Sequence, residues 1–201
     1  MDKLSYALGM SIAQSLSQSG VQELSYDDFK AAVKDCLEGK KPALSMEEAN
    51  EVLNDFFARA EAEMQEKQAA MAAAFKQEGE AWLKENARKD DVVVLPSGLQ
   101  YKVLQKGSGR KPGRTDKVRC HYEGTLTNGM KFDSSYDRGE PAVFGLNQVI
   151  PGWTEGLQLM SEGSVYELYI PYQLAYGEAG AHGSIPPCAA LVFKVELIKV
   201  L

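Results

Sequence analysis

The sequence predicts an α+β protein: a helical first half, a long connecting helix, and a second half of antiparallel strands wrapped around one short helix. Composition divides near Pro96, with 14 of the 18 glycines after it and seven of the eight prolines at or beyond it. Both residues form turns and are costly inside helices. Apolar residues recur with helical spacing before that point and alternate after it. Charge changes at the same place: residues 1–95 hold 11 Lys and Arg against 18 Asp and Glu, and residues 96–201 hold 11 against 10.

The first helix is predicted from Leu4, Leu8, Ile12 and Leu16, which recur every fourth residue and stop near Gly20. Ser25 with Asp28 forms an N-cap signal for a second, whose apolar face is Phe29, Val33, Cys36 and Leu37 and which ends near Gly39. After Lys41-Pro42, Ser45 and Glu48 make a capping box, with Ser at N-cap and Glu at N3. From there to Ala87 there is no proline and one glycine, Gly79, so a helix of roughly 60 Å is expected. Val52, Leu53, Phe56 and Phe57 can pack on the first two helices, whereas Arg59 to Lys67 has little to bury and reads as a solvated spacer. The expected division is a helical module over 1–57, an exposed linker helix and hinge over 58–96, and a β-rich domain over 97–201. A unit of about 55 residues is marginal alone, and oligomerisation often completes it. A homodimer through residues 1–57 is therefore expected; a monomeric three-helix bundle with the long helix folded back is the alternative.

Pro96-Ser97-Gly98 breaks the helical pattern and opens a strand from Leu99 to Leu104, followed by a polar loop to Arg114. Lys117 to Gly124 alternates, with Val118, Cys120 and Tyr122 on one face and Arg119, His121 and Glu123 on the other. Asn128-Gly129 is a hairpin turn, and the chain re-enters a strand at Met130 to Asp133. A short helix lies between Val149 and Met160, and Tyr166–Ile170 and Leu191–Leu201 are two further strands.

The totals exclude several functions. Cys36, Cys120 and Cys188 are odd in number and have neither zinc nor redox spacing, so they read as reduced thiols. No run of about 20 apolar residues could cross a membrane. The expected location is cytoplasmic, or periplasmic if a signal peptide has been removed. An acidic arm on a near-neutral domain argues against nucleic acid as partner. There is no Gly-x-Ser-x-Gly elbow, P-loop or His-Glu-x-x-His. The two histidines are His121, on an outer strand face, and His182, in a Gly-rich loop. Cys120 and His121 are adjacent on a strand and point to opposite faces, so they make no thiol pair. Proton-transfer, metal and cofactor chemistry all lack their parts.

The second half does hold 11 aromatic residues. Tyr101, Tyr166 and Tyr169 read as core. The others follow a specific order: His121-Tyr122-Glu-Gly, Met130-Lys-Phe132-Asp133-Ser-Ser, Arg138-Gly-Glu-Pro141, Phe144, Val149-Ile150-Pro-Gly-Trp153, Ala175-Tyr176-Gly177, Ser184-Ile185-Pro-Pro and Leu191-Val192-Phe193. From Ser97 to Leu201 this resembles the FKBP-type peptidyl-prolyl cis-trans isomerases, immunophilins that bind macrolide immunosuppressants. With the helical arm included, the chain resembles the bacterial Mip-like subgroup of V-shaped homodimers.

That resemblance implies an FKBP-like fold and an aromatic pocket floored by Trp153. Its walls would be Tyr122, Phe132, Phe144, Val149, Ile150, Tyr176 and Phe193, with Asp133 at the rim and Ile185 in an overhanging loop. One departure is Ala142, where many members place an aromatic after the Pro of Arg-x-x-Pro; it bears on substrate preference and macrolide affinity. No cofactor and no metal are implied. The partners would be proline-containing unfolded or partly folded polypeptides, with macrolides as possible inhibitors. The barrier to rotation is amide resonance, about 18–20 kcal/mol, and water stabilises the planar, charge-separated amide. A pocket that removes this water favours the twisted state. The expected roles are Trp153 against the pyrrolidine, Phe132 and Phe193 at its sides, and the Tyr176 hydroxyl donating to a substrate carbonyl. Asp133 either lends electrostatic help or serves as ion-pair partner to Arg138. A dimer with two pockets suits chaperone action, since bivalency raises effective concentration. The rival reading is a module that grips proline segments without turnover. A purely structural coiled coil is disfavoured because Glu61 to Lys84 holds no heptad.

Overall fold

The computed structural model describes residues 1–201 except Gln22 and His182; the expectation for His182 therefore lies outside the described residues. The chain forms two compact units, Met1–Glu66 and Lys67–Leu201.

In the first unit, α1 (Lys3–Gln18), α2 (Tyr26–Leu37) and the start of α3 (Met46–Asn86) follow the expected spacing. Side chains cap all three. Asp2 accepts from the Ser5 amide at 2.7 Å, and Ser25 Oγ from Asp28. At α3 the box is reciprocal: the Glu48 amide donates to Ser45 Oγ at 3.2 Å, and the Ser45 amide to Glu48 Oε2 at 2.8 Å. Yet α1 and α2 bury no residue. Leu8 and Ile12 remain 56% and 40% exposed, so the apolar face stands open on the single chain.

In the second unit, the end of α3 corrects the expectation of an exposed linker to residue 96. Gly79, Leu83 and Asn86 are buried. Trp82 packs on Tyr169 with ring centroids 5.7 Å apart, and Asn86 Nδ2 donates to Gln100 Oε1 at 3.0 Å. Gly79 makes the close approach possible, since a Cβ there would lie 2.9 Å from that of Ala190. The solvated stretch is therefore shorter than 58–96, because the apolar residues that dock, Trp82 and Leu83, follow soon after Lys67 on the same helix.

Among the described residues, seven antiparallel strands follow in the order β1-β2-β6-β7-β3-β4, with β5 also paired to β3. They are β1 (Val93–Val94), β2 (Gln100–Gln105), β3 (Lys117–Leu126), β4 (Lys131–Ser134), β5 (Ala142–Gly145), β6 (Val165–Ile170) and β7 (Leu191–Val200), with α4 (Pro151–Leu157) between β5 and β6. Two short strands, β1 and β5, were not expected. Each is too brief for alternation to register and forms only because a longer neighbour offers its edge.

One sheet face buries Val118, Cys120, Leu126, Leu168, Ile170, Leu191, Val195 and Leu197 against α4. Gly152 and Gly156 seat α4 directly on β6, because a Cβ at either would come within 2.8 Å of the Ile170 or Leu168 side chain. That contact brings the neighbouring Trp153 to the sheet surface. On the opposite face, the end of α3 covers Tyr169 and Val192, and beyond it register lines up Lys102, Glu167, Lys194 and Glu123 across β2, β6, β7 and β3 in alternating sign, which keeps that row at the surface.

Candidate active site

Four strands contribute residues to the cluster around Trp153 of α4. Tyr122 points inward from β3, Phe132 and Asp133 come from β4, Phe144 from β5, Trp153 from α4 and Phe193 from β7. Tyr122, Phe144 and Phe193 all stand nearly edge-on to the indole, with ring centroids 5.2, 5.5 and 5.2 Å away. Phe132 meets Phe193 edge-on at 5.5 Å. Phe132 and Trp153 therefore share a neighbour and a side of the domain. Offset and edge-to-face pairs like these are the favourable aromatic geometry. The indole is 4% exposed, and among the described residues its Nε1 is the one buried side-chain polar atom without a hydrogen-bond partner.

Val149 and Ile150, just before α4, are half-buried against the same cluster. Val149 also borders an open hollow with Arg114, Asn147 and Gln158, lined by none of the rings. Tyr176 follows the 3-10 turn at Tyr172–Leu174 and is 41% exposed. Ile185 is buried in the core cluster and its carbonyl accepts from the Ala181 amide at 2.9 Å.

The rim is a closed polar triad. Tyr122 Oη donates to Asp133 Oδ2 at 2.5 Å and accepts from Arg138 Nη2 at 2.7 Å, while Arg138 Nη1 pairs with Asp133 Oδ1 at 2.5 Å. Of the two expected roles for Asp133, the ion pair is thus formed. Burial opposes the Asp133 charge, but the hydrogen bonds from Tyr122 and Arg138 outweigh it and hold the carboxyl below its usual range. Burial, then the bond to Asp133, pushes the Tyr122 phenol up. Burial and the Asp133 charge do the same for Tyr176. Both hydroxyls are therefore neutral donors at neutral pH.

Two residues in the motifs received no role from the sequence. Ser135, fully buried, extends the β3–β4 pairing beyond its last backbone rung. Its Oγ accepts from the Tyr122 amide at 2.8 Å, and its amide donates to the Tyr122 carbonyl at 2.9 Å. His121 Nδ1 lies 2.9 Å from the same Oγ, and the His121 ring stacks on Tyr136 at 4.6 Å. Gly124 is the other. An inward-facing glycine in an otherwise bulky alternating strand was the available signal.

Comparison with known proteins finds relatives along the whole chain. Residues 108–198 match the family model described as FKBP-type peptidyl-prolyl cis-trans isomerase, and residues 1–103 match the domain amino terminal to it. The chain is 48% identical over 197 residues to the FKBP-type 22 kDa peptidyl-prolyl cis-trans isomerase of Escherichia coli K12, covering 98% of this chain and 94% of that protein. It is 41% identical to the outer membrane protein MIP of Legionella longbeachae, covering 99% and 85%. The crystal structure of FkpA from Escherichia coli superposes with a TM-score of 0.76 at 39% identity, covering 98% and 92%.

Proposed function

Because the chain belongs to the FKBP-type peptidyl-prolyl cis-trans isomerases, we propose that the cleft around Trp153 speeds rotation of X-Pro bonds by withdrawing water from the linkage. The carrying observation is an indole ringed by Tyr122, Phe144 and Phe193, beside a rim whose Asp133, Arg138 and Tyr122 groups are bonded to one another. In this reading the pyrrolidine rests on Trp153 between Phe132 and Phe193, and Phe144, Val149, Ile150 and Ile185 complete the apolar surround. Tyr176 donates to a substrate carbonyl. Asp133 and Arg138 hold the Tyr122 ring, and both of their charges are already paired. A thousandfold acceleration needs only about 4 kcal/mol, which apolar burial with one or two hydrogen bonds can supply. A protease-coupled proline-peptide assay tests it: acceleration above the no-enzyme rate is expected, and equality with that rate would discard the cleft reading in favour of a non-catalytic proline-binding module.

The same proposal includes a homodimer through residues 1–57 that carries two clefts and holds unfolded clients. What supports it is the open apolar face of α1 and α2, which bury nothing on the single chain. Sedimentation equilibrium is expected to give twice the 22.0 kDa chain mass. A particle of chain mass would overturn the dimer. Removing residues 1–66 keeps the docked end of α3, and is expected to leave peptide isomerisation intact while weakening suppression of client aggregation. Equal suppression by both forms would remove the chaperone part. A reducing, cytoplasmic location is also proposed, on the strength of three free cysteines, with Cys120 and Cys188 buried; recovery from the periplasmic fraction of cells would overturn it.

A further inference from the structure

Along β3 the inward positions are Val118, Cys120, Tyr122, Gly124 and Leu126. Four carry substantial side chains, and the fifth carries none. Gly124 is not among the glycines with positive φ, so its backbone is of a kind any residue adopts. Conformational freedom does not account for the glycine. Space does. A Cβ at Gly124 would lie 2.7 Å from Phe132 Cζ, 2.8 Å from Phe132 Cε2 and 2.7 Å from Phe193 Cε1. The strand pairs Gly124 with Phe193 on β7 and with Asp133, next to Phe132, on β4. Both ring edges therefore rest on bare backbone.

Carbon atoms in favourable contact sit about 3.5–4.0 Å apart, so one methyl group would displace each ring by about 1 Å. The strand blocks retreat, so the rings would move toward the space above Trp153. We propose that Gly124 sets the separation of Phe132 and Phe193, and through it the size of the cyclic imino acid that the cleft accepts. The inference rests on the reading of those two rings as cleft walls. Gly124 touches no substrate in this account; it is a positioning residue that acts through the two phenylalanines.

Ring size supplies a readout that a merely structural role would not move. Three peptides, identical except for azetidine-2-carboxylate, proline or pipecolate at the cyclic position, offer four-, five- and six-membered rings. NMR exchange measures catalysed against uncatalysed isomerisation of each, with the full-length chain and with Gly124→Ala. One methylene in an apolar pocket is worth about tenfold or more. The variant is expected to lose at least about tenfold more on pipecolate than on azetidine-2-carboxylate. Equal losses on all three peptides, or no loss, would overturn the proposal. Should Gly124→Ala fail to fold, Phe132→Leu in the parent chain decides the matter: relieving that wall is expected to raise the pipecolate-to-proline ratio, and an unchanged ratio overturns the proposal. The two readings fail separately. A parent chain with no effect on the proline peptide defeats the cleft itself, and unaltered ring preference in Phe132→Leu defeats Phe132 as its wall, whereas an active parent with unaltered ring preference in Gly124→Ala alone defeats only the role of Gly124.

Discussion

Replacing Tyr122 by Phe separates solvent removal from proton-based catalysis. The substitution deletes one oxygen and leaves the ring, which still packs on Trp153 at 5.2 Å and on Phe144 at 5.8 Å. It breaks two charge-assisted bonds, to Asp133 Oδ2 at 2.5 Å and from Arg138 Nη2 at 2.7 Å, while the direct Asp133–Arg138 pair remains. Fully buried, each such bond is worth about 1.5–3 kcal/mol. Here the side chains of Asp133 and Arg138 are 40% and 47% exposed and recover water, which lowers the expected loss of stability to about 1–2 kcal/mol in total. The chemistry transfers no proton, so kcat/KM is expected to fall less than about tenfold, under about 1.4 kcal/mol of barrier. A general acid or base removed from the reaction would cost about a hundredfold to ten-thousandfold. The protease-coupled assay, run beside urea unfolding of the same sample, reads both quantities. A loss beyond a hundredfold in a variant that stays folded would refute the desolvation argument, because the hydroxyl would then be part of the reaction itself.

Three further outcomes are expected. Ser135→Ala leaves the buried Tyr122 amide without its 2.8 Å acceptor and should cost about 1–3 kcal/mol, seen as a lower urea midpoint with unchanged slope; an unmoved midpoint would mean that this rung is dispensable. Gly79→Val forces a side chain toward the Ala190 Cβ, already 2.9 Å from where a methyl would sit. It should destabilise the docked end of α3 by about 1–3 kcal/mol and speed amide exchange across β6 and β7 beneath it, whereas native exchange rates there would contradict the docking. The pH profile follows from the rim. The Asp133 value is depressed in the fold, so its contribution is present above the ordinary carboxylate range and is lost only as pH falls through the folded value. Tyr122 and Tyr176 are raised and stay neutral. Flat kcat/KM from about pH 5 to pH 9 is therefore expected, and a bell-shaped curve in that window would be contrary.

Much of the fold was legible because its signals are local. A cap needs residues three apart, and Ser25–Asp28 and Ser45–Glu48 were both readable and both formed. Alternation placed Val118, Cys120 and Tyr122 inward on β3, where they are buried. By contrast β1 and β5 are two and four residues long, shorter than any periodicity can resolve. The docked turns of α3 escaped notice because half of the contact lies about 100 residues away, at Ala190 and Val192.

For the site, the motif order marked which aromatics belong together, since side-chain type and sequence order are properties of the chain. Whether Asp133 would be a paired or a free charge was not such a property. It depended on Arg138 and Tyr122 reaching it from different segments, and the closed triad at the rim exists only once β3 and β4 are side by side. The same holds for Gly124 and Ser135. A glycine in a strand and the second of two serines after an aspartate are ordinary as letters, and they acquire their roles from distances of 2.7–2.8 Å across strands. The sequence by itself determined the helices, the inward faces and the aromatic inventory, because covalent spacing controls periodicity and composition. Tertiary structure alone decided which groups were close enough to exclude, pair or support one another, because those forces act over a few ångströms of space and not along the chain.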